Sequence, residues 1–224
     1  MKTVLILISL LTMFTSQKQQ PKKVYKYIAF GDSYTICTGT SSVDEHWPTI
    51  LTKHLNEQNI ATTLVANPSR NGFSTQNLID NELPLLKINN IDFATLLIGV
   101  NDWVRQVDAK TYHKNLNHII DEIQKKLTNK KQLVLITIPD FGVTPQGSQY
   151  GSGRDISKGI SEFNAIIKTE AAKRELPCVD LFLISKKMKD DKNLVAADGL
   201  HPSSKEYAIW ENLILPEVKK MLSH

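Results

Sequence analysis

The stretch DFATLLI, residues 92–98, is a nearly continuous apolar run in a chain of 224 residues. A strand that helices cover on both faces has this composition, because neither of its faces meets water. Leu133–Ile138 repeats the pattern and is followed by Pro139. We predict three further strands, at Val24–Phe30, Ala61–Ala66 and Cys178–Leu181.

Helical patterns separate these strands. Apolar residues recur at three- and four-residue spacing from Trp47 to Leu55 and again from Tyr112 to Leu127. Further helices are expected at Phe73–Leu83, at Asp155–Glu175 and from Ser203 onwards. In the last of these, Glu206 suggests a capping box, and Pro216 is expected to kink or divide the helix.

This alternation of strands and helices predicts the fold class. Strands joined by helical crossovers form a parallel sheet that is covered on both faces. We therefore expect an α/β fold, a flavodoxin-like three-layer α/β/α sandwich with about five parallel strands. The irregular stretch Asp140–Arg154, rich in Gly and Ser, is long enough to suggest a functional loop that forms a wall of a substrate pocket.

The composition is that of an ordinary soluble protein, with 41% hydrophobic and 22% charged residues and a net charge of +4. The lysines are scattered and are not interleaved with aromatic residues, so we predict a solvated surface and no nucleic-acid partner. Cys37 and Cys178 are far apart and lie in apolar surroundings. We expect two free thiols there and no disulfide.

The N-terminus has the pattern of an export signal. After Lys2, an apolar run at Val4–Phe14 is too short to span a bilayer comfortably and is typical of a signal-peptide core. We predict an export signal and linker at 1–20, one domain at 21–224, and a periplasmic or secreted location. An uncleaved segment that tethers the protein to the membrane is the alternative, and no other stable membrane span is expected.

Three short motifs follow predicted strands, where open parallel sheets form their ligand crevices. The motif GDSY at 31–34 permits a tight turn above which the Ser33 hydroxyl can stand exposed. The pair NG at 71–72 allows a substrate oxygen to approach a backbone N–H, and GVND at 99–102 adds the amide of Asn101. Each motif alone is also typical of an ordinary turn.

A fourth motif, DGLHP, lies at 198–202. Histidine is the side chain whose ordinary pKa suits proton transfer near neutrality. An aspartate three residues before His201 can curl back and fix the tautomer of its ring. No cluster of His, Cys or carboxylates has the spacing of zinc ligands, so we predict neither a metal nor a cofactor.

Together, the four motifs and their order resemble the SGNH hydrolase (GDSL esterase/lipase) family. The resemblance covers nearly all of the chain after the export signal. It implies Ser33 as nucleophile, His201 as general base and then acid, and Asp198 as the residue that orients the histidine. It also implies an oxyanion hole made by the Ser33 N–H, the Gly72 N–H and the Asn101 side chain.

The same resemblance implies a serine ester hydrolase that works through an acyl-enzyme. Its substrate would be a carboxylic ester with a small to medium acyl group, either an acetyl ester of a carbohydrate or a lipid. Cys37 departs from the family pattern, which often has glycine at this point, and is expected to alter the pocket floor.

Two alternatives stay open at this stage. The hydroxyl-rich stretch Thr35–Thr40 resembles a phosphate-cradling loop, which would suit a flavin-binding protein of flavodoxin-like fold. A carbohydrate-binding module that keeps the hydrolase fold without catalysis is the second alternative. The flavin-binding alternative gives Asn101, Asp198 and His201 no role.

Overall fold

A computed structural model of the chain describes residues 23–88 and 90–223, and the predicted export signal and linker at 1–20 lie outside them. Every pair of neighbouring strands in the sheet is parallel, and the order is β2-β1-β3-β4-β5. The strands are β1 (Tyr25–Gly31), β2 (Thr62–Ala66), β3 (Phe93–Leu97), β4 (Leu133–Ile136) and β5 (Cys178–Val179).

Helices cover this sheet in two groups. They are α1 (Trp47–Glu57), α2 (Thr75–Asn81), α3 (Val100–Val104), α4 (Ala109–Lys126), α5 (Ile156–Arg174), α6 (Phe182–Ser185) and α7 (Ser204–Leu222). Helices α1 and α7 pack against each other, while α2 and α5 both pack against α4. The predicted α/β sandwich with a five-stranded parallel sheet is confirmed. None of the helices in the described part of the chain is long and apolar enough to cross a membrane.

The central strands place the motifs side by side. All five residues of β3 are buried, as the apolar run at 92–98 predicts. Phe30 of β1 lies opposite Leu96 of β3, and Gly31 lies opposite Leu97. The two strands therefore end at the same level, and the segments that follow them leave the sheet next to each other.

Helix α7 runs unbroken through Pro216, so the expected division there is wrong. A proline removes the hydrogen bond to the carbonyl four residues earlier, here that of Asn212. Both Pro216 and Asn212 are exposed, so water can solvate the freed carbonyl.

The expected capping box of α7 forms only in part. The Ser203 hydroxyl accepts a hydrogen bond from the Glu206 N–H at 3.4 Å. The return bond is missing, because the Ser203 N–H donates to the Leu194 carbonyl instead. The carboxylate of Glu206 accepts from the indole of the buried Trp210 at 2.7 Å, so the acid serves the core and not the helix end.

Candidate active site

A small cavity of about 70 Å³ contains residues from three of the four motifs. It lies at the carboxyl ends of β1 and β3 and brings Ser33, Asn101 and His201 together. The complete lining is Ser33, Tyr34, Val100, Asn101, Val104, Phe141, Tyr150, Leu200 and His201. Gly72 is not part of this lining. A larger groove of about 470 Å³ lies at the opposite end of β4 and β5, and no motif residue lines it, so the smaller cavity is the candidate site.

A tight turn after β1 presents Ser33. A side chain at Gly31 would place its Cβ 2.3 Å from the Leu97 carbonyl oxygen, so glycine lets the two strands end in contact. The carboxyl of Asp32 accepts the Tyr34 N–H at 3.0 Å through Oδ1 and tightens the turn. Ser33 itself is 6% exposed at the cavity.

The N–H groups proposed for the oxyanion hole are available. Among the described residues, neither the Ser33 N–H nor the Gly72 N–H has a hydrogen-bond acceptor. Asn101 donates one of its two amide hydrogens to the Phe73 carbonyl at 2.9 Å, which leaves the second one free. The bond to Phe73 also ties Asn101 to the segment that carries Gly72.

Arg105 holds the Gly72 segment from outside the cavity. Its Nη2 donates to the Gly72 carbonyl and its Nη1 to the Asn77 side chain, both at 2.7 Å. Gly72 has a φ of 75°, the left-handed region that favours glycine. The hydroxyl of Thr38 donates to the side chain of Asn71. No sequence pattern points to Arg105, because one of its two partners is a backbone carbonyl.

The fourth motif forms a histidine–aspartate pair. Nδ1 of His201 lies 2.6 Å from Oδ2 of Asp198. The other oxygen of Asp198 accepts the N–H groups of Leu200 and His201, each at 2.9 Å. Gly199, with a φ of 71°, allows the turn that curls the aspartate back. No hydrogen bond joins the Ser33 hydroxyl to His201, although both groups line the cavity.

These contacts keep Asp198 ionised. Partial burial would raise the pKa of its carboxyl, but the hydrogen bonds from Leu200 and His201 outweigh that effect and lower the pKa. An ionised Asp198 favours the His201 tautomer in which Nδ1 carries the ring proton. Nε2 is then free to accept a proton.

Two buried carboxyls near the turn that carries Ser33 have raised pKa values, in contrast to Asp198. Asp32 and Glu82 are fully buried, and each has one oxygen without a hydrogen-bond partner. Glu82 accepts the Gly31 N–H at 3.3 Å through its other oxygen. Desolvation raises the pKa of both carboxyls to about 8. Sequence analysis missed Glu82, which follows α2 and has the pattern of an ordinary surface acid.

Cys37 adopts a φ of 57°, again in the left-handed region. Glycine adopts this conformation more readily than cysteine does. The side chain is buried, and its sulfur accepts the Trp47 N–H at 3.3 Å. Cys37 does not line the cavity, so the expected change to the pocket floor is wrong. Both cysteines are free, as expected.

The threonine hydroxyls of the stretch Thr35–Thr40 already donate within the protein. They donate to oxygens of Phe30, Asn71 and Cys37. Within residues 23–88 and 90–223, no three His, Cys, Asp or Glu side chains are grouped to hold a metal ion.

A family model and several solved structures are similar to this chain. The profile of the GDSL-like Lipase/Acylhydrolase family matches residues 29–209. The crystal structure of TesA is 20% identical, covers 88% of this chain and 99% of its own, and has a TM-score of 0.69. A lipase/acylhydrolase from Enterococcus faecalis is 24% identical, with 88% and 96% coverage and a TM-score of 0.65. An acetylxylan esterase from Geobacillus stearothermophilus is 17% identical, with 87% and 94% coverage and a TM-score of 0.66. None of the curated proteins matches the sequence significantly.

Proposed function

Because the chain belongs to the GDSL-like lipase/acylhydrolase family, we propose that it cleaves esters of small to medium acyl groups through an acyl-enzyme on Ser33. Carboxylic ester hydrolysis is the activity of the family. The acyl-enzyme, the roles of individual residues and the substrate are our proposal.

In the proposed reaction, Nε2 of His201 takes the hydroxyl proton of Ser33 while Oγ attacks the ester carbonyl. Asp198 holds the Nδ1–H of His201 and stabilises the imidazolium that forms. The tetrahedral oxyanion accepts hydrogen bonds from the Ser33 and Gly72 N–H groups and from the free amide hydrogen of Asn101. His201 then passes its proton to the departing alcohol.

Water completes the cycle. His201 takes a proton from the water as its oxygen attacks the acyl carbon, and the same donors hold the second oxyanion. The bond to Oγ breaks, the proton returns to Ser33, and the carboxylic acid leaves. One observation carries this proposal: Ser33, Asn101 and His201 line one cavity, with Asp198 bonded to the histidine.

The size of the cavity supports a short acyl group. Its volume is about 70 Å³, and Val104, Phe141, Tyr150 and Leu200 form much of its lining. One structurally similar protein is named an acetylxylan esterase. We therefore favour an acetyl ester of a carbohydrate over a long-chain lipid. The apolar run at Val4–Phe14 supports the further proposal that the protein is exported.

The test is hydrolysis of p-nitrophenyl esters from acetyl to palmitoyl by the wild type and Ser33→Ala. We expect a Ser33-dependent rate that is highest for the shortest esters, and labelling of Ser33 by a serine-directed phosphonate. No rate and no labelling would favour the non-catalytic carbohydrate-binding alternative. A yellow protein that absorbs near 450 nm would favour the flavin-binding one.

A further inference from the structure

Two separate parts of the chain form the walls of the cavity. Val100, Asn101 and Val104 belong to α3, whereas Phe141 and Tyr150 belong to the loop between β4 and α5. The space left for an acyl chain depends on how these two walls are fastened to each other. We infer that Arg154 is a positioning residue that fastens them and thereby limits the length of the acyl chain.

Arg154 bonds to both walls. Its Nη1 donates to the Trp103 carbonyl at 2.9 Å and its Nη2 to the Val104 carbonyl at 3.3 Å, both at the end of α3. Its Nε donates at 3.1 Å to the carbonyl of Gly151, the residue after Tyr150. One guanidinium group thus holds the end of one wall and the edge of the other.

Ring contacts extend the same connection. The guanidinium of Arg154 lies 3.8 Å from the ring centre of Trp103. Trp103 meets Phe141 edge-on at 6.0 Å, and Phe141 meets Tyr150 at 6.4 Å. On its other side, Trp103 packs so closely against Gly159 that a Cβ there would lie 1.9 Å from the indole nitrogen.

Helix α3 needs such external support. It has five residues, and Gly99 at its N-cap offers no side-chain hydrogen bond. A helix of this length is unstable alone, so its neighbours fix its position. Asn101 and Asp102 bind the residues before and at the start of α2, through Phe73 and Thr75. These bonds hold one side of α3, and Arg154 holds its C-terminal end.

Lysine does not replace arginine in this role. A guanidinium presents several N–H donors in a fixed plane and stacks on an indole, while an ammonium is a compact, mobile point charge. Arg154→Lys therefore keeps the charge but loosens the junction between α3 and the loop. The loosened walls can part to admit acyl chains that the wild-type cavity excludes.

This inference rests on the proposed ester hydrolysis. The test compares kcat/KM for p-nitrophenyl acetate and octanoate in the wild type, Arg154→Lys and Arg154→Met. We expect the acetate-to-octanoate ratio to fall at least roughly tenfold in both variants, the scale on which pockets discriminate by chain length. Equal losses on both esters, with an unchanged ratio, would overturn it.

The matched control is Arg174→Lys at the other end of α5. Arg174 is also partly buried and pairs with Asp121 at 2.6 Å and Glu170 at 3.2 Å. This control should lose thermal stability and keep the wild-type ratio. A control that shifts the ratio as strongly as Arg154→Lys would show that general loosening, not this junction, sets chain length.

A second measurement does not depend on activity. Trp47 and Trp210 are fully buried, whereas Trp103 is 5% exposed beneath Arg154. Acrylamide quenching of tryptophan fluorescence should rise in the Arg154 variants as Trp103 loses its cover. Increased quenching with an unchanged ester ratio would contradict the role in chain length. A wild type without any Ser33-dependent hydrolysis would instead overturn the proposed function itself.

Discussion

The turn that carries Ser33 and the loop that carries His201 hold aspartates in opposite states. Asp32 is fully buried beneath the turn, and desolvation raises its pKa to about 8. The side chain of Asp198 is 42% exposed, and the hydrogen bonds from Leu200 and His201 lower its pKa despite partial burial. One aspartate holds its proton at neutral pH and the other is ionised.

The difference shows that environment, and not residue type, decides the role of each acid. A neutral carboxyl can brace a buried turn without placing a charge beside the nucleophile. An ionised carboxyl can orient an imidazole and stabilise it when it is charged. Each of the following predictions changes one side of this comparison.

Ser33→Ala should have the largest effect. It removes the proposed nucleophile, so we expect kcat to fall by roughly ten-thousand-fold or more. The Ser33 hydroxyl makes no hydrogen bond to another described residue, so the melting temperature should change little. Parallel kinetics and thermal unfolding check this prediction. Retained turnover in protein free of contaminating esterase would remove Ser33 from the mechanism.

Asp198→Asn and Asp32→Asn form the direct comparison. The first removes the charge that fixes the tautomer of His201, and kcat should fall by roughly a hundred- to ten-thousand-fold. The second replaces a carboxyl that is already neutral at pH 7 and keeps an oxygen for the Tyr34 N–H, so kcat should fall less than about tenfold. Similar losses in both variants at pH 7 would contradict the assigned charge states.

Asn101→Ala should have an intermediate effect. It removes one proposed oxyanion donor, which typically costs about 3 kcal/mol in the transition state, or roughly a hundredfold in kcat. KM should change little, because the bond to the oxyanion strengthens in the transition state. The lost bond to the Phe73 carbonyl should lower stability by about 1 kcal/mol. A rise in KM with an unchanged kcat would mean that Asn101 binds substrate and not the oxyanion.

The parts of the molecule that sequence predicts well are those where residue type reflects burial. The run at 92–98 is apolar because both faces of β3 are covered, and it predicts the strand to within one residue at each end. The four motifs lie near strand ends or in the last loop, where a parallel sheet brings them together. Three of them contribute residues to one cavity.

Interactions with backbone carbonyls are harder to predict. Arg154 binds the carbonyls of Trp103 and Val104, about fifty positions away, and any residue types there would supply the same acceptors. Glu82 likewise has a main-chain partner, because its carboxyl accepts the Gly31 N–H. Burial of these two side chains depends on tertiary packing and leaves no periodic signal in the sequence.

Glu82→Gln should have the smallest effect and separates the buried acids from the catalytic loop. Burial raises the pKa of Glu82 to about 8, above the value of about 4.3 in an unfolded chain. Between these values the folded protein holds a proton that the unfolded chain releases. The contribution of Glu82 to the free energy of unfolding is therefore complete below about pH 4.3. It decreases as the pH rises and is lost once the pH has passed 8.

Glutamine cannot titrate, so the variant should gain stability relative to the wild type as the pH rises, by up to about 1.4 kcal/mol per pH unit. Urea unfolding at several values between pH 5 and 8 measures this difference, with Glu57→Gln as an exposed control that should leave the slope unchanged. The variant should keep the kcat of the wild type, because the partner of His201 is Asp198 and not Glu82. If the free energy of unfolding changes with pH in parallel for wild type and variant, Glu82 is ionised in the folded protein. The contrast between the buried turn and the exposed loop would then rest on Asp32 alone.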